Sequence, residues 1–325
     1  MRTLTKAGLF STIVTIICAL FSTASIATSH SWQFKGIAQS YYQSFDQSLS
    51  RESTFNLGIY WFADYLDNVS LSFGYNYTFV DMSPNIEVDE HILHLGGKYS
   101  WFSDTLSGKF SLALDGYGGK YTTTTVTSSG GGGMGGMGGS SRITSSESTD
   151  ISVLHPQVSF INYAKTYYFD IGYAYSEYDS GDLYDIEAHQ ITPTLGFGWN
   201  NAYDWLQLRG YFINLNQQTQ LLEEDDFASA ELKYIHWFVE KSPPYFHNLQ
   251  LTLLAGDRVL AVDPDAKAVY SVSDKQTGSV SVAGQWALTQ SLKFMFLVGY
   301  DKYENDLLAD EYDSLLFYAN FQNQW

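Results

Sequence analysis

Polar and apolar residues alternate one for one through much of this chain, in separate short runs. Residues 68–80 show it most clearly. Val69, Leu71, Phe73, Tyr75, Tyr77 and Phe79 share one side, and Asn68, Ser70, Ser72, Gly74, Asn76 and Thr78 share the other. Strict alternation marks a strand, because successive side chains leave opposite faces. Leu292, Phe294, Phe296, Val298 and Tyr300 repeat the pattern, with Met295 and Leu297 blurring the polar side, and 278–288 and 314–325 follow it too. Fourteen strands are expected, over roughly 31–45, 51–62, 67–80, 88–101, 105–126, 148–163, 166–178, 186–199, 203–218, 226–239, 245–261, 270–287, 290–303 and 312–325. The pattern admits a count of twelve to sixteen. It implies an all-β fold, an antiparallel up-and-down transmembrane β-barrel with apolar residues on lipid and polar residues in the lumen.

The connections alternate in length. Residues 102–104, 164–165, 200–202 and 240–244 are short turns, whereas 81–87, 127–147, 179–185, 219–225, 262–269 and 304–311 are longer and polar. Short periplasmic turns and long outer loops are the rule for such barrels. All eight Trp residues fall near strand ends on the short-turn side: Trp32, Trp61, Trp101, Trp199, Trp205, Trp237, Trp286 and Trp325. Indole pairs an apolar body with one N–H donor and favours the headgroup level, so this row reads as a periplasmic aromatic girdle. Tyr42, Tyr75, Tyr77, Tyr173 and Tyr175 are candidates for the outer girdle. Pro156 and Pro193 each remove a ladder donor inside a strand, and bulges are expected there.

Residues 1–27 read as a secretory signal peptide. Arg2 and Lys6 form a basic start, 7–21 an apolar stretch, and Ser25-Ile26-Ala27 a small-residue cleavage site. The one cysteine, Cys18, lies inside the apolar stretch rather than ending it, which argues against a lipoprotein. Residues 28–325 are then a single barrel domain with a Gly-rich disordered outer loop at 127–147. Composition agrees: aromatics reach 17% and charged residues only 16%, an unusual balance for a soluble enzyme.

The last residues, Leu315 to Trp325, alternate apolar positions up to a terminal aromatic. This resembles the C-terminal assembly signal of bacterial outer-membrane proteins, with Phe317, Phe321 and Trp325 at the signal positions and Trp in place of the commoner Phe. The resemblance implies recognition by the barrel assembly machinery and location in the outer membrane of a Gram-negative cell. Size and strand count resemble the small fourteen-stranded monomeric porins, and also the barrel domain of surface-lipoprotein assembly modifiers.

The formal net charge is −18, and the carboxylates crowd the long loops. Glu223, Glu224, Asp225, Asp226, Asp263, Asp265, Asp306, Asp310 and Glu311 would form an acidic mouth that attracts cations or holds divalent ions beside lipopolysaccharide phosphates. Mid-strand charges must avoid hydrocarbon and face inward, which nominates Lys35, Lys98, Lys109, Asp115, Asp170, Arg209, Glu231, Lys233 and Lys293 as pore-lining.

Specific chemistry is sparse. Met134 and Met137 in the Gly-rich loop form at most a weak soft-metal site, and no phosphate-loop lysine follows. His91 with Asp89 and Glu90, or His189 with Glu187, are the candidates for a surface hydrolase, but no nucleophile motif accompanies them. His94 and His155 are expected to face the lumen, where they form an untethered candidate metal pair. The leading expectation is a porin-like channel for passive diffusion of small hydrophilic solutes. It needs no catalytic residue, metal or other cofactor. Its partners are membrane lipid and lipopolysaccharide, small solutes or cations, and the assembly machinery, but no nucleic acid; a monomer is favoured. The alternatives are a non-conducting assembly or export barrel with a partner, and a surface enzyme.

Overall fold

A computed structural model describes residues 32–82, 86–129, 141–181, 185–217, 222–270 and 274–325. The chain forms β1 (Trp32–Asp46), β2 (Arg51–Tyr65), β3 (Val69–Met82), β4 (Ile86–Ser103), β5 (Gly108–Ser129), β6 (Ser141–Asn162), β7 (Tyr167–Asp179) and β8 (Asp185–Trp199). It continues with β9 (Asp204–Gln217), β10 (Asp226–Trp237), β11 (Tyr245–Arg258), the two-residue strands β12 (Val262–Asp263) and β13 (Ala268–Val269), then β14 (Lys275–Ala287), β15 (Leu292–Asn305) and β16 (Asp310–Gln324). All except β12 and β13 pair with their chain neighbours in one closed antiparallel sheet, with β1 zipped against β16. Closure leaves no free edge, so every strand's backbone groups find partners inside the wall.

The period of two then sorts the side chains. Leu71, Phe73, Leu93, Leu95, Leu112, Leu114, Phe169, Ile171, Phe212 and Val282 are exposed on the outside. Such an apolar belt is tolerable on a closed barrel only against lipid. From Trp101 to His91 on β4, the outer face runs for roughly 25 Å along the barrel axis, the height of such a belt.

Four sequence expectations change. Residues 127–129 and 141–147 belong to β5 and β6 rather than to a loop: the two strands extend each other's pairing up to Ser129 and Ser141. The tip, with Met134 and Met137, and the leader over 1–27 lie outside the described residues. Pro156 and Pro193 make no bulge. The register runs unchanged past both, and only the pairing on one side of each is missing. Of the tryptophans, Trp205 and Trp237 point into the barrel, in register with Arg209 and Lys233; Trp205 packs on Tyr168. Trp61, Trp101, Trp199 and Trp286 are exposed on the outer face, and the register places Trp32 and Trp325 there as well. A row read along the chain gives the level of a residue but not its side, and two of the eight fall on the inward parity.

The fourth difference shapes the lumen. The connection between β11 and β14 does not project outward; it folds down into the barrel. A bulge between Ala255 and Arg258 starts the turn, with Gly256 at φ +94°. A side chain there would meet the Ala228 carbonyl, so glycine is required twice over. A second bulge at Gln276/Gly278 returns the chain to the wall. Between them Val259, Leu260, Ala261 and Val262 are buried against Ile92, Tyr117, Ile151, Val153, Tyr178, Ile186 and Ile213 on the inner faces of β4 to β9. Burying a Val or Leu side chain stabilises by roughly 1.5–3 kcal/mol. The loop is therefore a packed part of the interior, not a segment resting in it.

Candidate functional site

The inward loop divides the lumen. It packs on the side lined by β4 to β9, and leaves a cavity of about 920 Å³ lined mainly by β1 to β3, β10, β11 and β14 to β16, with Glu90, Tyr121, Tyr178 and Gln207 at its margins. The walls of this cavity mix aromatic and aliphatic side chains (Tyr41, Tyr60, Ile37, Met295, Leu297) with amides and hydroxyls (Gln39, Asn56, Thr78, Asn320) and with charged groups of both signs, among them Arg51, Glu90, Arg258, Asp274 and Asp301. Tyr270 and Lys267 of the loop form its inner side.

Polar contacts fix the loop to the wall at several points. Tyr178 donates to the Leu260 carbonyl at 3.3 Å. Gln190 brackets Val262: its Nε2 donates to the carbonyl at 2.7 Å and its Oε1 accepts from the amide at 2.9 Å. Arg209 donates from Nη2 to Asp265 Oδ1 at 3.0 Å and from Nε to Thr194 at 3.0 Å. Lys233 pairs with the other Asp265 oxygen and lies 3.7 Å from Glu231. Across the barrel, Lys267 Nζ donates to Asp115 Oδ2 at 2.6 Å, while Asp115 Oδ1 contacts His94 Nε2 at 2.9 Å. His155 Nδ1 lies 3.9 Å from the same carboxylate, so the two histidines converge on Asp115 rather than on each other. Tyr60 donates to the Lys267 carbonyl at 3.1 Å. Arg258 stacks over Tyr211 and Tyr270, with ring centroids at 5.1 and 4.7 Å.

These contacts revise the acidic mouth. Asp263 and Asp265 lie within the barrel: Asp265 carries the ion pairs just described, and Asp263 Oδ1 is 3.9 Å from Arg209. Burial acts to raise the Asp265 carboxyl, but the charges of Lys233 and Arg209 outweigh it and hold the group well below the usual carboxylate range. Asp306 lies 3.5 Å from Lys275, and Asp310 is buried, accepting the Leu49 amide at 2.8 Å. Glu223, Glu224, Asp225, Asp226 and Glu311 remain exposed on the outer connections and strand ends. Loop position alone does not separate these groups. An apolar run, 259–262, sits in this inward-turning loop, whereas the alternation assigns 259–261 to the end of a strand and 262 to an outer connection.

The nine mid-strand charges occupy inward register positions. They fall into two sets. Asp115, Asp170, Arg209, Glu231 and Lys233 sit on the side of the inward loop. Lys35, Lys98, Lys109 and Lys293 sit near the short-turn end. Phe317, Phe321 and Trp325 share the outward face of β16. His91 and His189 also face outward, each in the same setting: Tyr75 and Tyr173 contact their Nδ1 atoms at 2.7 Å. Glu90 instead turns inward, where Thr78 donates to it at 3.1 Å. The set His91, Asp89 and Glu90 is thus split between the two sides of the wall.

No protein-family model matches the sequence, and no curated protein matches it either. Solved structures do match. The toluene transporter TbuX of Ralstonia pickettii aligns with TM-score 0.53 at 8% identity, covering 92% of this chain and 90% of that one. The toluene transporter TodX of P. putida aligns with TM-score 0.53 at 9% identity, covering 92% and 91%. At such identity the likeness is one of fold. The closed fourteen-stranded wall, its apolar belt and this likeness define an outer-membrane β-barrel of the Gram-negative type.

Proposed function

We propose that the protein is an outer-membrane channel that passes small molecules through a lumen narrowed by the loop segment over 259–270. The observation that carries this reading is the 920 Å³ cavity left between the loop and the wall. A barrel of fourteen strands lies between those that side chains fill and those that hold an open aqueous channel. Here a packed loop fills part of the lumen and leaves the cavity beside it.

The lining suits a solute with a polar edge and a small apolar or aromatic body better than a purely hydrophilic one. Tyrosine and aliphatic walls contact the body; Gln39, Asn56, Thr78 and Asn320 supply donors and acceptors. The two structural neighbours are toluene transporters by description, which agrees with an apolar body. The outer face keeps an acidic fringe at Glu223–Asp226 and Glu311, but two of its expected members sit inside. Uptake of a graded set of small solutes into proteoliposomes tests the reading. Asn56→Trp should obstruct the cavity and slow uptake of phenol-sized solutes at least severalfold. Equal uptake by wild type, variant and empty liposomes would overturn it.

A further inference from the structure

The charges of the lumen are paired in one region and unpaired in another. Arg51 pairs with Asp274 at 2.6 Å, Arg209 with Asp265 at 3.0 Å, Lys267 with Asp115 at 2.6 Å and Lys275 with Glu304 at 3.1 Å; Lys233 also pairs with Asp265. Lys35, Lys98, Lys109 and Lys293 have no such carboxylate partner among the described residues. Lys35 lies over the Phe62 ring at 4.2 Å, and Lys293 Nζ is 3.0 Å from His247 Nε2.

These four share one level. Lys35 is near the start of β1, Lys109 and Lys293 are second in β5 and β15, and Lys98 is near the end of β4, so all lie toward the short-turn end. They form an arc along the inner wall from β15 through β1 to β5. Lys35 is close enough to interact electrostatically with Lys98 and Lys293, and Lys98 with Lys109 and Lys267. Opposing them are Asp64, beside Lys35 and Lys98, and Glu240, beside Lys293; Asp115 also acts on Lys98 but already carries Lys267, and Asp170, fourth in β7, faces inward beside Arg209. Asp64 already accepts the Ser70 hydroxyl. Asp67, Asp104, Lys165 and Lys241 sit exposed on the turns themselves and balance in sign. With Asp115 taken up by Lys267 and Asp170 beside Arg209, the four lysines outnumber the two carboxylates, Asp64 and Glu240, that remain beside them.

We propose that the periplasmic half of the lumen is an anion-binding vestibule, in which Lys35, Lys98, Lys109 and Lys293 concentrate small anions, with organic carboxylates of the size of the adjoining cavity as the class best fitted. A narrow lumen with low-dielectric walls focuses the field of such a set and enriches counter-ions within it. Ammonium groups on flexible stems suit a mobile anion, since each can swing to meet it. The tyrosine and aliphatic part of the adjoining cavity wall, with Ile37, Tyr60, Met295 and Leu297, would take the body of a carboxylate while the lysines hold its charge. This inverts the cation preference that the acidic loops suggest, because the inner set lines the lumen and the loops face bulk solvent, where salt screens them. Transport of the anion rests on the channel reading; its accumulation in the vestibule does not.

Two measurements on the full-length protein separate these. In planar bilayers under a KCl gradient, the reversal potential should show chloride preferred over potassium, roughly threefold or more. The quadruple variant Lys35→Gln, Lys98→Gln, Lys109→Gln, Lys293→Gln should lose that preference. The second measurement needs no current. Trp205 and Trp237 face inward at this same end, so in detergent their fluorescence should be quenched more by iodide than by caesium. Lys98→Gln with Lys109→Gln, a milder change, should already narrow the gap. Current without anion preference, or a reversal potential unmoved by the quadruple variant, overturns the vestibule and leaves the channel standing. No current but lysine-dependent iodide quenching overturns the channel and leaves the vestibule. Equal quenching by the two ions overturns the vestibule.

Discussion

Arg209 and Asp265 meet inside the barrel, Nη2 to Oδ1 at 3.0 Å, although β9 and the β11–β14 connection are not neighbours in the wall. The Arg209 side chain is 2% exposed and the Asp265 side chain 44%. The pair therefore joins a buried cation on the wall to a carboxylate that still sees the lumen. With Lys267 and Asp115 it holds the loop from two sides, while Gln190 holds its middle.

Arg209→Ala removes the buried partner. The half-exposed carboxylate retains Lys233, so the cost should fall toward the low side for a broken buried pair, about 1–3 kcal/mol. The apolar packing of 259–262 should keep the loop inside for most of the time. The expected outcome is a barrel that remains folded, with noisier and intermittently larger single-channel currents than wild type. Currents as quiet as wild type would show that this ion pair does not restrain the loop.

The pH dependence follows from the sign of the Asp265 shift. A carboxyl depressed in the folded state contributes stability above its unfolded value, about 3.9, and loses it as pH falls through the folded value. Because Lys233 and Arg209 depress Asp265, loop anchoring should be constant from pH 7 to about pH 5 and weaken only below about pH 4. Limited proteolysis within 259–270, read across that range, checks this. Cleavage that rises between pH 7 and pH 5 would contradict the assignment.

Trp205 offers a test of the wall's inner packing. A methyl group on Gly196 would run into its indole, whereas one on Gly118 would meet open space on the outer face. Gly196→Ala should therefore destabilise the barrel by about 1–3 kcal/mol, and Gly118→Ala should leave it unchanged. Urea unfolding followed by loss of the heat-modifiable band on gels separates the two. Equal midpoints would place Trp205 elsewhere than the lumen.

Much of the wall was legible in the sequence. The one-for-one alternation that runs through Val69, Leu71 and Phe73 is a backbone property, and it places each strand and both its faces. The alternation of turn lengths placed the ends. Parity within the Trp row is also present, since Trp205 shares its register with Gln207 and Arg209, but the level of a residue in the chain does not by itself give its side. The inward loop was not legible in the same way. Nothing local marks Asp265 as a partner of Arg209 or Lys267 as a partner of Asp115; those contacts exist only once the barrel has closed. The one available signal was energetic. Val259, Leu260, Ala261 and Val262 form an apolar run in an outer connection, where water would surround them and no lipid would. For the same reason the lysines separated into paired and unpaired sets only when the loop had taken its place.

The most direct test of a channel narrowed by its own loop is single-channel conductance. Wild-type protein should be compared with a variant in which residues 260–270 are replaced by a short Gly-Ser linker. The account predicts small stepwise currents from the wild type and clearly larger steps from the shortened protein, with both barrels folded. A folded, shortened barrel that passes no stepwise current, or one whose steps equal those of the wild type, would contradict it.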